Sequence, residues 1–178
     1  AEGIRQAVRY LWSKGHDRIG FLGGEPDSIV TIERKQAYSD ALAELGLEED
    51  PAAVKYGYFS AKGTKKRILE IAETGVTAVV CISDLLACTA VKELIHAGYS
   101  VPQDISITGY DNLPPSEYSQ PPITTLSQNR IHIGKTAFFM LQQMKNGIHI
   151  KSVMLRPELI ERESVREICS RELPKEKE

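Results

Sequence analysis

The feature that most constrains this chain is the repeated alternation of short apolar runs with longer segments of helical periodicity. In the first helical segment, Ile4, Ala7, Val8 and Leu11 share one face, and Gly15 follows as a helix terminator. Strands separated by helices form βαβ units. Apolar residues throughout each strand favour a sheet that is covered on both faces. The sequence therefore predicts an α/β fold with a Rossmann-like parallel sheet. Its predicted strands are 18–24, 54–59, 76–82 and 105–109, and its predicted helices are 4–14, 32–45, 61–73 and 85–97.

A cluster of prolines then interrupts the alternation, at positions 114, 115, 121 and 122. The segment beyond it predicts a short strand in ITTL, a helix over 131–144 and a strand over 152–161. One helix and one or two strands are too little for a separate core. We therefore expect a main unit over 1–120, a return segment over 121–168 that packs on a partner unit, and a frayed charged tail over 169–178.

Composition narrows the class of protein. The formal net charge is −2, which argues against a main DNA-binding surface in this stretch, because phosphate neutralisation needs clustered Lys and Arg. The apolar runs are far shorter than the ~20 residues of a membrane helix, and no signal peptide is visible at the start. Three cysteines without a CxxC pair favour a reducing, cytoplasmic location.

Polar side chains follow each predicted strand. In an open parallel sheet, ligands bind beyond the carboxyl ends of the strands. That edge would present Ser28, Phe59, Ser83-Asp84 and Asp111-Asn112. Arg34, at the start of the second predicted helix, would lie at the same edge. Carboxylates and a guanidinium can hold vicinal hydroxyls through paired hydrogen bonds, and an aromatic face can cover a sugar or base. This combination indicates a small polar ligand rather than a reaction.

Structural alternatives remain open for each residue taken alone. Asp84 could be only a helix N-cap, and Asp111-Asn112 an Asx turn before the prolines. Arg34 could form a surface ion pair, and Phe59 could belong to the core. Signatures of catalysis are weak: there is no GxGxxG, P-loop, GxSxG or HExxH, and the four histidines are scattered. We therefore expect no catalytic residue, no cofactor and no metal.

Several segments, in this order and spacing, resemble one family: YLWSKGHDRIGFLGG, ERKQAYSDAL, SDLLACTAV, VPQDISITGYDN, PPITTLSQNRIHIGKTAFFMLQQM and LRPELIERESV. Together they cover residues 4–166. They resemble the effector-binding region of the lactose/galactose repressor (LacI/GalR) family of bacterial transcription regulators, which has the type I periplasmic-binding-protein fold.

This resemblance implies a larger organisation. Such regulators carry an N-terminal helix-turn-helix domain, a hinge helix and two Rossmann-like subdomains that hold the effector between them. This chain is similar to the second subdomain plus the crossing back into the first from about Pro121. Operator DNA would then be contacted only through a domain outside this chain.

The resemblance also assigns residues. Effector-contact positions map onto Arg34, Phe59, the pair Ser83-Asp84, and Asp111, with Ser28 at a more variable position. Ser83 stands where the family has Asn, so one donor and some reach are lost. The family's homodimer would form along the helix after the third strand and the loop after the fourth, which gives interface roles to Leu85, Cys88 and Tyr118.

Three functional hypotheses follow. The first is a non-enzymatic effector-sensing domain of a transcription regulator that binds a sugar, a sugar phosphate or a purine. The second is a fragment of a periplasmic sugar-binding transport protein, whose parent chain would begin with a signal peptide. The third is a nucleotide-binding or hydrolytic enzyme, which the missing phosphate loop and nucleophile elbow disfavour.

Overall fold

The structure, a computed structural model, describes residues 1–57 and 61–173, with no side-chain description for residues 61 and 62. Helices and strands alternate in the order that the sequence predicts, up to β4. The elements are α1 (Glu2–Ser13), β1 (Ile19–Gly23), α2 (Ile29–Glu44), a 3₁₀ turn (Pro51–Ala53), β2 (Val54–Tyr56), α3 (Ala61–Ala72), β3 (Ala78–Cys81), α4 (Asp84–His96), β4 (Ser106–Tyr110), α5 (Pro114–Tyr118), β5 (Thr124–Ser127), α6 (Arg130–Lys145) and β6 (Glu158–Ile160).

The strands form a single sheet in the order β2-β1-β3-β4-β5-β6. The first five are parallel, and β6 runs antiparallel to β5. The chain leaves β1 towards β2 on one side and later adds β3 on the other. The connections after β1 and β3 therefore diverge, which opens a crevice at the carboxyl edge of the sheet.

Helices cover the sheet in two pairs. Helix α1 packs with α2, and α3 packs with α4. The buried core contains Phe21 from β1 and Tyr38 from α2, whose ring centroids lie 5.1 Å apart. The Tyr38 hydroxyl donates a hydrogen bond of 2.7 Å to the carbonyl of Ile19, so this buried phenol is satisfied. The predicted α/β class, with helices around a mostly parallel sheet, is confirmed.

Beyond the prolines, the structure differs from a simple separation at residue 121. Strands β5 and β6 extend the same sheet, and fully buried Ser164 joins β4 to β5: its Oγ donates to the Ile107 carbonyl at 2.5 Å and accepts from the Thr124 amide at 2.9 Å. The part that leaves the sheet is narrower. It is α6, which buries none of its residues and exposes the apolar side chains Ile131, Phe138, Phe139, Leu141 and Met144. The division into two lobes stays a prediction. Within the described residues beyond the prolines, α6 is the element that would pack on a second lobe.

The beginning of the tail predicted to fray is attached to the body. The Cys169 and Arg171 amides donate to the carbonyls of Lys14 and Ser13, and the Arg171 guanidinium pairs with Asp17. Residues 174–178 of that tail lie outside the described residues. Within the part of the chain that the structure describes, no helix combines the length and apolar character needed to cross a bilayer.

Candidate functional site

Arg34 and Tyr110 meet at the carboxyl edge of the sheet. Helix α2 places the Arg34 guanidinium over the Tyr110 ring, with Cζ 3.8 Å from the ring centroid. The guanidinium also donates to the carbonyl of Ile82, directly after β3. A planar cation stacked on a ring and anchored to the backbone has little freedom to turn away. The half-buried Arg34 is therefore held in place between the ends of β3 and β4, and is not a mobile surface arginine.

The Tyr110 ring is itself fixed by a glycine in the first helix. A Cβ at Gly3 would lie 2.6 Å from Tyr110 Cε2, so only glycine lets α1 approach the ring this closely. Tyr110 is 5% exposed, and burial raises the pKa of its hydroxyl. The ring thus serves as a rigid platform under Arg34.

Asp111 follows Tyr110 and adopts an unusual backbone conformation. Its φ is 105°, and the next residue, Asn112, has φ 49°, so two adjacent non-glycine residues are left-handed. The Asp111 amide donates to the Leu126 carbonyl at 2.8 Å, and its Oδ1 accepts from Gln128 Nε2 at 2.7 Å. Asp111 is half-buried. The Leu113 amide, which an Asx turn at Asp111 would use, donates instead to Asp84 Oδ2. The turn carries a carboxylate at the same edge as Arg34.

The sequence pair Ser83-Asp84 separates into two roles. Ser83 is the N-cap of α4, and its Oγ accepts from the Leu86 amide at 3.3 Å. The alternative that Asp84 is the cap is wrong, because Ser83 occupies that position and Asp84 is the first residue inside the helix. Ser83 is 7% exposed.

Asp84 is fully buried and links three elements. Its Oδ1 accepts from the Thr125 hydroxyl and its Oδ2 from the Leu113 amide, both at 2.6 Å. The pKa of its carboxyl is raised above the ordinary value because of burial, although these two hydrogen bonds oppose the shift. Gly109 leaves room for this carboxylate, since a Cβ there would collide with Asp84 Oδ1. These contacts tie α4, β5 and the start of α5 together, and a direct contact of Asp84 with a ligand stays a prediction.

Two predicted contact residues have less definition. Ser28 is the N-cap residue of α2 in an extended conformation, half-buried, without a side-chain capping bond. It lies at the carboxyl edge of β1, six residues before Arg34. Phe59 lies outside the described residues, so its role stays a prediction.

The predicted dimer-contact residues lie on α4 and at the end of α5. Leu85 is 55% exposed, Tyr118 is 79% exposed, and Cys88 is half-buried. A cleft of about 290 Å³ between α4 and the two residues after α5 is lined by Cys88, Val91, Lys92, Ile95, His96, Ser119 and Gln120. Large exposed apolar side chains beside a cleft are typical of a protein-protein contact.

Sequence reasoning did not single out Tyr110, Gln128 or Arg162 as parts of this edge. Arg162 Nη2 donates to Asn112 Oδ1 at 2.8 Å, across fifty residues of sequence. The only signal for Gln128 and Arg162 was their presence in the family-like segments TTLSQN and LIERES. Among residues 1–57 and 61–173, no group of three or more His, Cys, Asp or Glu side chains is arranged to hold a metal ion. The described site offers hydrogen bonds, the guanidinium groups of Arg34 and Arg162, and the carboxylates of Asp84 and Asp111.

This chain is similar in sequence and fold to proteins of known function. Residues 8–165 match the model of the periplasmic binding protein-like domain. The HTH-type transcriptional repressor PurR of Vibrio atlanticus is 36% identical over 170 residues, which is 93% of this chain and 51% of the relative. The transcriptional repressor AscG of Escherichia coli superposes with a TM-score of 0.86 at 27% identity, covering 92% of this chain and 61% of that one. The regulator CelR, solved as a complex with cellobiose, superposes with a TM-score of 0.81 at 31% identity, covering 91% and 51%.

The chain thus spans about half the length of the curated relatives that it matches. Most of this chain aligns with them. The strand-end arginine and carboxylate lie on the periplasmic-binding-protein-like fold that those repressors share. The chain therefore belongs to the lactose/galactose repressor (LacI/GalR) family, as part of its periplasmic-binding-protein-like domain.

Proposed function

We propose that this chain is the effector-sensing part of a cytoplasmic transcription regulator, and that it binds a small polyhydroxylated ligand at the carboxyl edge of its sheet. The observation that carries the proposal is the pairing of two fixed groups. Arg34 is held over Tyr110, and Asp111 is held by Gln128 and the Leu126 carbonyl. A guanidinium that donates and a carboxylate that accepts complement vicinal hydroxyls, which do both.

The chemistry of the edge favours a sugar-like ligand over an anion. Asp111 contributes a negative charge at the same edge of the sheet as Arg34, and a carboxylate disfavours a phosphate close to it. Ser28 would add a hydroxyl from the β1 connection, and Ser83 and Phe59 would contact other parts of the ligand. The cellobiose complex of the neighbouring CelR structure supports a carbohydrate. Sugar phosphates and purines are therefore the alternatives that the binding test must include.

The ligand site would be completed by a second lobe. In helix α6, the side chains of Phe138 and Phe139 are 64% and 58% exposed. A helix in a stable domain normally buries such aromatic side chains against another part of the protein. The relatives are about twice as long as this chain. A partner lobe in the parent protein would cover α6 and close over Arg34 and Asp111.

Regulation would follow from a shift between two arrangements of these lobes. A ligand that contacts both lobes favours the closed arrangement by its difference in affinity for the two states. A homodimer through Leu85, Cys88 and Tyr118 would pass that bias to operator-binding domains outside this chain. The structure of a lac repressor dimer bound to operator supports this arrangement.

A thermal-shift panel tests the proposal. The panel contains D-glucose, D-ribose, D-glucose 6-phosphate and adenine. A ligand at 100 times its dissociation constant adds about 2.7 kcal/mol to the free energy of unfolding. We expect a sugar to raise the melting temperature of this chain, and to raise that of the Arg34→Ala variant by less. Because a second lobe would complete the site, the same panel is repeated on the longer protein that carries both lobes. Stabilisation of neither protein by any of the four probes would contradict the proposal.

A further inference from the structure

The strained turn at Asp111 and Asn112 is held by residues that are distant in sequence. Left-handed φ values at two adjacent non-glycine residues persist only where surrounding contacts enforce them. Asn112 Oδ1 accepts from Arg162 Nη2 at 2.8 Å, and the Leu113 amide donates to Asp84 at 2.6 Å. Hydrogen bonds at Asn112 and at Leu113 thus hold the turn in place.

Arg162 is suited to this task because its guanidinium forms a fork. While Nη2 binds Asn112, Nη1 donates to the Ile123 carbonyl at 2.8 Å and lies 3.4 Å from Ser116 Oγ in α5. Its own amide donates to Thr124 Oγ1 at 3.0 Å. One side chain therefore connects the turn, α5 and the start of β5. A lysine, with a single ammonium, cannot reproduce two parallel contacts.

The position of Arg162 along the chain gives this fastening a consequence. The chain leaves the sheet after Gln128, forms the exposed helix α6, and returns through β6 to Arg162. Gln128 holds the Asp111 carboxylate and Arg162 holds the Asn112 side chain. The segment that contains α6 is therefore linked to the turn at both of its ends, through Asp111 and through Asn112.

We propose that Arg162 is a positioning residue of the ligand site, which fixes the direction of the Asp111 carboxylate by holding Asn112 in its left-handed conformation. Arg162 acts through Asn112 and makes no contact with the ligand itself. The inference rests on the proposed function for the role of Asp111, but the clamp on the turn is testable without a ligand.

Hydrogen exchange measured by NMR on the ligand-free chain tests the clamp. Arg162→Lys should accelerate exchange of the Asp111 and Leu113 amides about ten-fold, the size expected for loss of one charge-assisted hydrogen bond. Exchange at Val79 in the centre of β3 should not change, because that amide reports global opening. Arg166→Lys, four residues further along the same segment, is the matched control and should leave Asp111 and Leu113 unaffected.

A second variant separates positioning from general support. Glycine adopts left-handed φ freely, so Asn112→Gly removes the need for the clamp. In the Asn112→Gly background, Arg162→Lys should add little further acceleration at Asp111 and Leu113. An additive effect there, equal acceleration at Val79, or unchanged exchange in Arg162→Lys would each overturn the proposal.

Binding supplies an independent arm. For whichever of D-glucose, D-ribose, D-glucose 6-phosphate or adenine binds the unsubstituted chain, Arg162→Lys should weaken binding about ten-fold, but only where residue 112 is Asn. An equal loss in both backgrounds would overturn the positioning role. If none of these probes binds either the unsubstituted chain or the longer protein that carries both lobes, the proposed function fails, while the exchange measurement still decides whether Arg162 clamps the turn.

Discussion

The Arg34 guanidinium lies over the Tyr110 ring, 3.8 Å from its centroid, and this contact joins the connection after β1 to the end of β4. The two residues are far apart in sequence but adjacent at the point where the strand order reverses. The pairing means that one candidate ligand group, Arg34, is oriented by the residue that precedes the other, Asp111.

Arg34→Lys tests this orientation. Lysine keeps the charge but loses both the planar stack and the fork that reaches the Ile82 carbonyl. A cation-π contact at a partly desolvated site contributes about 1–2 kcal/mol, so we expect ligand affinity to fall about ten-fold or more. The measurement is isothermal titration calorimetry with the sugar that the thermal-shift panel selects.

Tyr110→Phe is the control for this prediction. It keeps the ring under the guanidinium, and should therefore leave affinity within about two-fold of the parent value. If Arg34→Lys and Tyr110→Phe weaken binding equally, the stack is not what positions Arg34.

Gly109→Ala is expected to be strongly destabilising. A methyl group there collides with the buried Asp84 carboxylate, which cannot move without losing Thr125 or the Leu113 amide. Overpacking and a broken buried hydrogen bond together should cost about 2–4 kcal/mol of the free energy of unfolding. Urea unfolding followed by circular dichroism measures it.

Gly134→Ala in α6 is the matched control. A Cβ at Gly134 would meet no atom within 4 Å. Alanine in an exposed helix is favoured over glycine by about 0.5–1 kcal/mol, so this change should be neutral or stabilising. Equal losses from the two substitutions would contradict the close packing of Gly109 against Asp84.

The sequence predicted the alternation up to β4 because apolar periodicity is local information. The carboxyl-edge positions of Arg34 and Asp111 followed from the fold rule alone. What it could not predict depends on contacts between distant residues. Asp84 and Ser83 both carry capping chemistry. Hydrogen bonds from the Leu113 amide and from Thr125, forty-one residues later, hold Asp84 inward.

The return of the chain after α6 was hidden for the same reason. Residues 123–127 were predicted to leave with the return segment, because the prolines mark a break in local pattern. Their pairing with β4 and β6 places them in the main sheet. The tie from Ser164 to Ile107 and the clamp from Arg162 to Asn112 likewise span fifty residues or more, beyond any periodicity.

His16 makes stability depend on pH. Its ring is buried between the Thr77 hydroxyl, 2.9 Å from Nδ1, and the Arg166 carbonyl, 3.1 Å from Nε2, so Nδ1 accepts and Nε2 donates. Burial lowers its pKa below the ordinary 6.5, and Arg166 and Arg171 lower it further, whereas Asp17 and the hydrogen bond to the Arg166 carbonyl raise it.

Below pH 6.5 the unfolded chain therefore binds a proton at this position that the folded chain does not, and stability falls as the pH falls. Above pH 6.5 the imidazole is neutral in both states and contributes no dependence. Urea titration at several pH values should therefore show the free energy of unfolding falling as the pH is lowered from 6.5. His16→Gln should remove that dependence and His149→Gln, at an exposed ring, should not. A parent slope retained in His16→Gln would refute this assignment.

Leu85→Glu tests the proposed homodimer. The side chain is 55% exposed on α4, so the substitution should not disturb the fold, but two like charges facing each other across a two-fold contact oppose association. We expect the unsubstituted 178-residue chain to sediment as a concentration-dependent dimer and the Leu85→Glu variant as a monomer. Leu173→Glu, another exposed apolar position, should sediment like the parent. A parent chain that stays monomeric at all concentrations would rule out this interface for the chain.

The central claim is that a small polyhydroxylated ligand binds against Asp111 at the carboxyl edge of the sheet. The most direct measurement is calorimetric titration of the parent chain, Asp111→Asn and Asp104→Asn with the sugar selected by thermal shift. Asn keeps an acceptor for Gln128 and tolerates the left-handed backbone, so only the charge is lost. Asp104 lies just before the opposite end of β4 and is the control. We predict that Asp111→Asn weakens binding about ten-fold or more and that Asp104→Asn does not, since a hydrogen bond to a charged group contributes about 1.5–3 kcal/mol. Undiminished binding by Asp111→Asn would contradict the account.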